Sequence, residues 1–497
     1  MTSTPLTRRT VLTGVLGLGA GALTLAACGT SERPVGAAAI AAADARRPRS
    51  GGTRAYRLVA RPAQVGLGGR VVDTWTYGGA LPGRLLRATA GDRVRVDFAN
   101  QLPQETSVHW HGLGIRNDMD GVPHLTNQPV APGGRFGFDF VVPDPGTYWF
   151  HPHTGLQLDR GLYAPFIIDD PREPGGHDAE WVVVLDDWTD GVGPSPEQIY
   201  SNLKRNGGSM GGMSMGDGPM GMGNPGNGAR GMGGDGGDVA YPLYLVNGRP
   251  PTDPDVLRAK PGQRVRLRII NAAADTIFDV ALAGHQLHVT HTDGRPVQPA
   301  AASSVRLGMG ERYDAVVTLQ DGVFPLVARP YGKPGLARAL VRTANGSAPA
   351  AGLAPGELDG QPLTAMDLQA APGSPLPRAE PATTQDVTLA GGMGSYVWTI
   401  NGRTYDDTAP LTVHQGQTTR LRIRNASMMS HPLHVHGHTF QLGPAGGTGP
   451  RKDTVLVPPM AGLEVDLLAD NPGRWMVHCH NAYHAEAGMM TRLDYLT

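Results

Sequence analysis

Gly91-Asp92-Arg93-Val94-Arg95-Val96-Asp97-Phe98-Ala99-Asn100 decides the fold, because the chain carries it three times. It recurs as Gly262-Gln263-Arg264-Val265-Arg266-Leu267-Arg268-Ile269-Ile270-Asn271, and again as Gly416-Gln417-Thr418-Thr419-Arg420-Leu421-Arg422-Ile423-Arg424-Asn425. Each copy alternates polar with β-branched or aliphatic residues, the two-residue period of a half-buried strand. A short aromatic-containing run with a glycine turn precedes each copy, beginning at Tyr77, Tyr244 and Trp398. The copies lie 171 and 154 residues apart, which makes the repeating unit a whole β-sandwich of short strands. No stretch keeps a helical period. The pattern predicts an all-β chain with units over 55–175, 176–345 and 386–497, and a Pro/Gly/Ala-rich linker over 346–385.

Composition agrees with this reading. Of 497 residues, 70 are Gly and 43 Pro, the signature of many turns and few long helices. A net charge of −1 argues against a nucleic-acid partner, since neutralising phosphates requires a basic excess. The two cysteines, Cys28 and Cys479, cannot form a disulfide framework.

Two segments stand apart from the sandwiches. Arg8-Arg9 precedes an apolar Gly/Ala-rich run from Val11 to Ala27, the pattern of a bacterial twin-arginine export signal. That run ends in Leu25-Ala26-Ala27-Cys28, which resembles a lipobox. The reading is a signal over 1–28, a lipid on Cys28 and a flexible tether over 29–54, placing the protein in the cell envelope on the outer side of the cytoplasmic membrane. The second segment, 207–237, is Gly-rich and holds Met210, Met213, Met215, Met220, Met222 and Met232, with almost no other apolar residue. Thioether is a soft ligand that favours Cu(I), so these methionines are a candidate Cu(I) substrate site; otherwise they are a plain insertion.

The histidines carry the chemistry. Ten of the 17 fall in four clusters: His109-Trp110-His111, His151-Pro152-His153, His431-Pro432-Leu433-His434-Val435-His436, and His478-Cys479-His480 with His484. Asn100 precedes His109 by nine residues, as Asn425 precedes His434. Pro145-Gly146 likewise leads to His151-Pro152-His153 as Pro472-Gly473 leads to His478-Cys479-His480. The first and third units therefore hold two His-x-His pairs each at equivalent positions. On a strand, each pair points two imidazoles to one side. Eight imidazoles between two symmetric copies can enclose several metal ions. The middle unit has Val280 at the equivalent place and reads as a chemical spacer, with His285, His288 and His291 as non-ligands. The third unit adds His431, Cys479, His484 and Met489 where the first has Thr106, Pro152, Gln157 and Leu162. Two histidines, a thiolate and a weak axial methionine are the ligand set of a blue copper centre.

From about residue 55 to 497 these motifs resemble the three-domain multicopper oxidases, in particular copper-resistance types of bacterial envelopes, including lipoprotein forms. The resemblance implies three consecutive cupredoxin-like Greek-key sandwiches and four copper ions. It assigns the type 1 copper to His431, Cys479, His484 and Met489, and the type 2 copper to His109 and His434. The binuclear type 3 pair takes His111, His151 and His480 on one ion, and His153, His436 and His478 on the other. The implied reaction couples one-electron oxidation of Cu(I), phenols or aromatic amines to reduction of dioxygen to water. Asp120 matches the family's acidic residue after the first motif. Many bacterial members place Glu directly after the type 1 His; here Ala485 stands there, with Glu486 one residue on as the candidate proton donor. A general laccase without a role in copper tolerance, and a copper-storage protein without turnover, are the two rival readings.

Overall fold

In the computed structural model each of the three repeated segments lies at the same place in a sheet. The structure describes residues 34–173, 176–207, 236–392 and 394–496. Arg93–Asn100 pairs in parallel with Thr53–Leu67 and antiparallel with Arg135–Val141. Arg264–Asn271 does the same between Ala179–Trp188 and Arg312–Thr318, and Thr418–Asn425 between Thr383–Gly391 and Gly462–Leu468. In the first copy the alternation becomes burial: Val94, Val96 and Phe98 are buried while Arg93, Arg95 and Asp97 face solvent.

Six sheets result. Those between Thr53 and Asp169 have four strands each; the two later pairs have six and five strands each, the first pair spanning Ala179 to Arg342 and the second Thr383 to Leu496. The chain is thus all-β, made of three consecutive sandwiches of the cupredoxin type. Among the described residues only Ala37–Ala45, Pro196–Arg205 and Ala482–Glu486 are α-helical, and no helix is long and apolar enough to cross a membrane.

An asparagine ends each repeated strand and turns the chain toward the opposite sheet. Asn100 Nδ2 donates to Gln104 O and Val130 O, Asn271 Nδ2 to Thr276 O and Leu307 O, and Asn425 Nδ2 to Met429 O and Val457 O. The Oδ1 of each accepts the backbone N–H two residues on. These bonds satisfy backbone groups that leave the ladder at the crossing. Nine residues past Asn100 and Asn425, the opposite sheet presents His109 and His434.

The tether expected over 29–54 is corrected in its described part. Ala37–Ala45 is a helix, as its alanine content favours. Just after it, Arg47 Nη1 donates to Gly114 O at 2.7 Å and Nη2 to Asn471 Oδ1 at 2.8 Å, fixing the segment to both the first and third sandwiches. Cys28 and the six methionines of 207–237 lie outside the described residues.

Candidate metal centre

The strands bring the clusters together through pairing. His109–His111 lies antiparallel to Gly146–His151 with His109 opposite His151; His431–Val435 lies beside Arg474–Cys479 with His434 opposite His478. The first and third sandwiches then meet face to face. His109 stacks on His436 with ring centroids 3.7 Å apart, and His111 on His434 at 3.9 Å. Since His109 corresponds to His434 and His111 to His436, this crosswise stacking is a local two-fold relation.

Four groups built of histidine and cysteine alone form, each with its ligating atoms within 4.8 Å of one another, and His109, Asp120 and His436 make a fifth. The four are His109, His111 and His434; His111, His151 and His480; His153, His436 and His478; and His431, Cys479 and His484. Nearly all these residues are fully buried. Met489 is buried beside the last group: its N–H donates to His484 O, and its carbonyl accepts the Cys479 N–H.

In four of these rings the two nitrogens have separate tasks. The outer nitrogen is held by the protein: His109 Nδ1 donates to Asp120 O, His151 Nδ1 to Pro152 O, His434 Nδ1 to Asp453 O, and His478 Nδ1 to Cys479 O. Their inner Nε2 atoms face other histidines: His478 Nε2 lies 3.1 Å from His436 Nε2 and 3.3 Å from His153 Nε2, and those of His109, His151 and His434 are buried without a hydrogen-bond partner. Burial, joined by repulsion from neighbouring histidines, pushes His111, His151, His153, His436, His478 and His480 well below the ordinary imidazole pKa. Neutral rings turning lone pairs toward one another in a buried space are a donor set for cations. Imidazole and thiolate together suit copper, so the residues fit the metal that the motifs imply.

At the thiolate group, His431 Nδ1 and His484 Nδ1 are 3.1 Å apart and lie 3.6 and 3.7 Å from Cys479 Sγ. Burial disfavours an imidazolium at His484, but hydrogen bonds to Asp238 and Cys479 outweigh it and raise the pKa to about 10. The Asp238 carboxylate and Cys479 Sγ thus flank His484 from its two ring nitrogens. Trp398 covers this group, 4.1 Å from the His484 ring and 5.1 Å from His431. The equivalent place in the first sandwich holds Thr106 and Gln157, hydrogen-bonded to each other at 2.6 Å.

Asp120 lies at the cluster, with Oδ2 3.0 Å from His436 Nδ1 and Oδ1 3.2 Å from His109 Nδ1. Glu486 is not brought there. It is exposed, because two residues past His484 on a helix turn a side chain about 200° away. Its neighbours still partly shield the carboxyl from water, which raises its pKa, and Lys204 partly offsets that. His285 is satisfied within its own sandwich: Nδ1 donates to Ala283 O and Nε2 accepts from Gln320 N.

The middle sandwich is more than a spacer, which corrects the sequence reading. It gives no ligand to these groups but supplies Asp238, whose Oδ2 accepts from His484 Nε2 at 2.8 Å and from Tyr396 Oη at 2.6 Å. It also supplies Arg312, fully buried and forked onto both oxygens of Asp453 at 2.7 and 2.6 Å. Burial would raise the Asp453 pKa, but Arg312, His111 and His434 hold it well below the carboxylate range. Asp453 in turn lies 3.2 Å from His111 Nε2. Gly310, at φ +86°, brings backbone so close that a Cβ there would meet His480 and His111 at 2.9 and 3.0 Å.

Comparison with known proteins agrees with this geometry. Three family models, each described as multicopper oxidase, match residues 60–173, 179–348 and 378–496. The chain belongs to the multicopper oxidase family, oxidoreductases that bind type 1, type 2 and type 3 copper. It is 51% identical to multicopper oxidase MmcO from Mycobacterium tuberculosis, over 98% of this chain and 97% of that protein. It is 29% identical to a copper resistance protein A homolog from Pseudomonas syringae pv. tomato, over 87% and 91% of the two chains. The crystal structure of a multi-copper oxidase from Pseudomonas thermotolerans superposes with a TM-score of 0.68 at 29% identity, covering 89% of this chain and 99% of that one.

Proposed function

We propose that this oxidase is exported and lipid-anchored through Cys28, and that it oxidises Cu(I) in copper tolerance while also accepting phenols and aromatic amines. His431, Cys479, His484 and Met489 hold the type 1 copper; His109 and His434 hold type 2. His111, His151 and His480 hold one type 3 ion, and His153, His436 and His478 the other. When bound, these coppers supply one-electron oxidation of the reductant and four-electron reduction of dioxygen to water. Cys479 sits between His478 and His480, so one tripeptide joins the thiolate group to both type 3 groups. Asp120 holds His109 and His436 in place and is the proton-delivering carboxyl group at the cluster. Asp453, charged by Arg312, fixes His111 and His434.

The observation that supports Cu(I) as reductant is where the Met-rich segment leaves and re-enters the fold. Gly207 lies against the backbone of Gly394 and Ser395, next to Tyr396. Asp238, at the other end, bonds both Tyr396 and His484. Both ends of the segment therefore flank the thiolate group. Met428, 63% exposed, and Met429 precede His431 on the third sandwich. Replacing Met210, Met213, Met215, Met220, Met222 and Met232 with Ser tests this. Cu(I) oxidation should fall about tenfold or more while phenol oxidation stays within about twofold, the pattern of lost differential binding. An equal fall in both, or in neither, assigns the segment no part in substrate binding and leaves a general laccase.

A further inference from the structure

A cleft of about 270 Å³ opens where the N-terminal helical segment meets all three sandwiches. Its walls carry Arg46, Arg47, Arg295 and Arg451 against only Asp144 and Asp470. Arg47 spends its donors on Gly114 O and Asn471 Oδ1, with Asp44 as its carboxylate partner. Arg295 pairs with Asp144 at 2.6 Å through Nη2, but its Nε is buried and has no hydrogen-bond partner. Arg451 is half-buried and donates from Nε and Nη2 to Thr439 Oγ1 alone. Among the described residues it has no carboxylate partner. Arg295 and Arg451 thus line one half-open cleft, each with guanidinium N–H groups left unbonded among the described residues, and the arginines lining it outnumber the aspartates.

We propose that this cleft binds a small oxyanion, of the size and charge of phosphate, sulfate or a carboxylate, between Arg451 and Arg295. The planar guanidinium fork matches such anions in bidentate fashion, and an anion adds negative charge where only Asp144 and Asp470 stand among the arginines lining the cleft. Burial and the neighbouring Arg295 lower the Arg451 pKa to about 10, against the opposing pull of Asp144 and Asp470. Gly112 and Gly437 also line the cleft, each one residue past the His-x-His pairs that end in His111 and His436. An anion seated there lies at the back of the histidine cluster, on the far side of those glycines. The inference rests on charge and shape and is independent of which reductant the enzyme uses.

Calorimetric titration of the copper-loaded full chain with sodium phosphate, sulfate and acetate, against constant chloride, tests it. One saturable site per chain is expected for at least one of these anions. Arg451→Met should weaken it about tenfold or more, Arg451→Lys should weaken it less, and the exposed control Arg258→Met should leave it unchanged. No saturable heat with any of the three, or undiminished affinity in Arg451→Met, overturns the proposal. If Arg451→Met does not fold, undiminished affinity in Arg451→Lys overturns it instead. Electron paramagnetic resonance of the same samples separates the cleft from the metal. An unchanged type 2 copper signal supports the cleft, and a signal that changes in step with the heat places the anion on copper and overturns it.

Discussion

Asp238 Oδ2 accepts a hydrogen bond from His484 Nε2 at 2.8 Å across 246 positions of sequence. The contact joins a residue at the edge of the Met-rich segment to the imidazole whose other nitrogen faces Cys479. A carboxylate here favours positive charge on the His484 side. Asp238→Asn keeps an acceptor oxygen and removes the charge, so the oxidised blue site loses more stabilisation than the reduced one. Its reduction potential should rise by up to about 60 mV, equivalent to roughly 1.4 kcal/mol for one electron, with the visible band retained. Redox titration of the visible band checks this; an unchanged or lower potential contradicts it.

Cys479 is the free thiol among the described residues and is fully buried. Cys479→Ser should abolish the intense visible band of a copper–thiolate centre and lower turnover by about a hundredfold or more. The remaining histidine groups should still bind metal, so copper content should fall by about one ion rather than collapse. Metal analysis beside the visible spectrum distinguishes this from a variant that has merely lost its fold.

A buried ion-pair group at the junction of the first and second sandwiches sets an acid limit on stability. Burial alone would raise the Asp314 pKa, but Arg266 and Arg268 outweigh it and hold it at about 2, and Thr147 of the first sandwich donates to Oδ1. A carboxylate depressed in the folded state contributes stability that is present above its unfolded pKa and lost as pH falls through the folded value. For Asp314 that is about 2 kcal/mol, present above roughly pH 4 and lost toward pH 2. Asp314→Asn should lower the melting temperature at pH 7 and flatten the acid limb of melting temperature against pH. An acid limb unchanged in the variant would contradict the assignment.

Cys28→Ala should shift the protein from the membrane to the soluble fraction without changing its visible spectrum, because the anchor and the site share no residue. Fractionation with mass spectrometry of the mature N-terminus reads the outcome. A native N-terminus lacking lipid on Cys28 would remove the anchoring proposal and leave the oxidase intact.

The parts of this molecule that were legible in sequence are those written locally. A strand period of two, repeated three times with a terminal asparagine, is enough to place the three sandwiches. His-x-His pairs at equal distances from those asparagines are enough to foresee where imidazoles converge. Asp238 and Arg312 were not legible, since their partners lie 246 and 141 positions away and no local pattern links them. The middle sandwich lacks histidine pairs and so looked like a spacer, although its polar side chains reach His484 and Asp453. Glu486 is near His484 in sequence, but helical rotation turns its side chain to solvent. The alanine-rich segment after Gly36 has no amphipathic stripe to announce a packed helix. Its attachment comes instead from bonds on either side, Val35 N to Tyr495 O before it and the two made by Arg47 just beyond it.

In the proposed function, reductant oxidation at the thiolate group is coupled to dioxygen reduction at the histidine groups. Simultaneous measurement of Cu(I) oxidised and dioxygen consumed by the copper-loaded protein tests it most directly. Taking dioxygen to two waters consumes four electrons, so four Cu(I) should be oxidised for each dioxygen consumed, with no hydrogen peroxide released. A protein that retains its copper but takes up no dioxygen with either Cu(I) or a phenol would contradict it, as would a two-to-one ratio with peroxide as product.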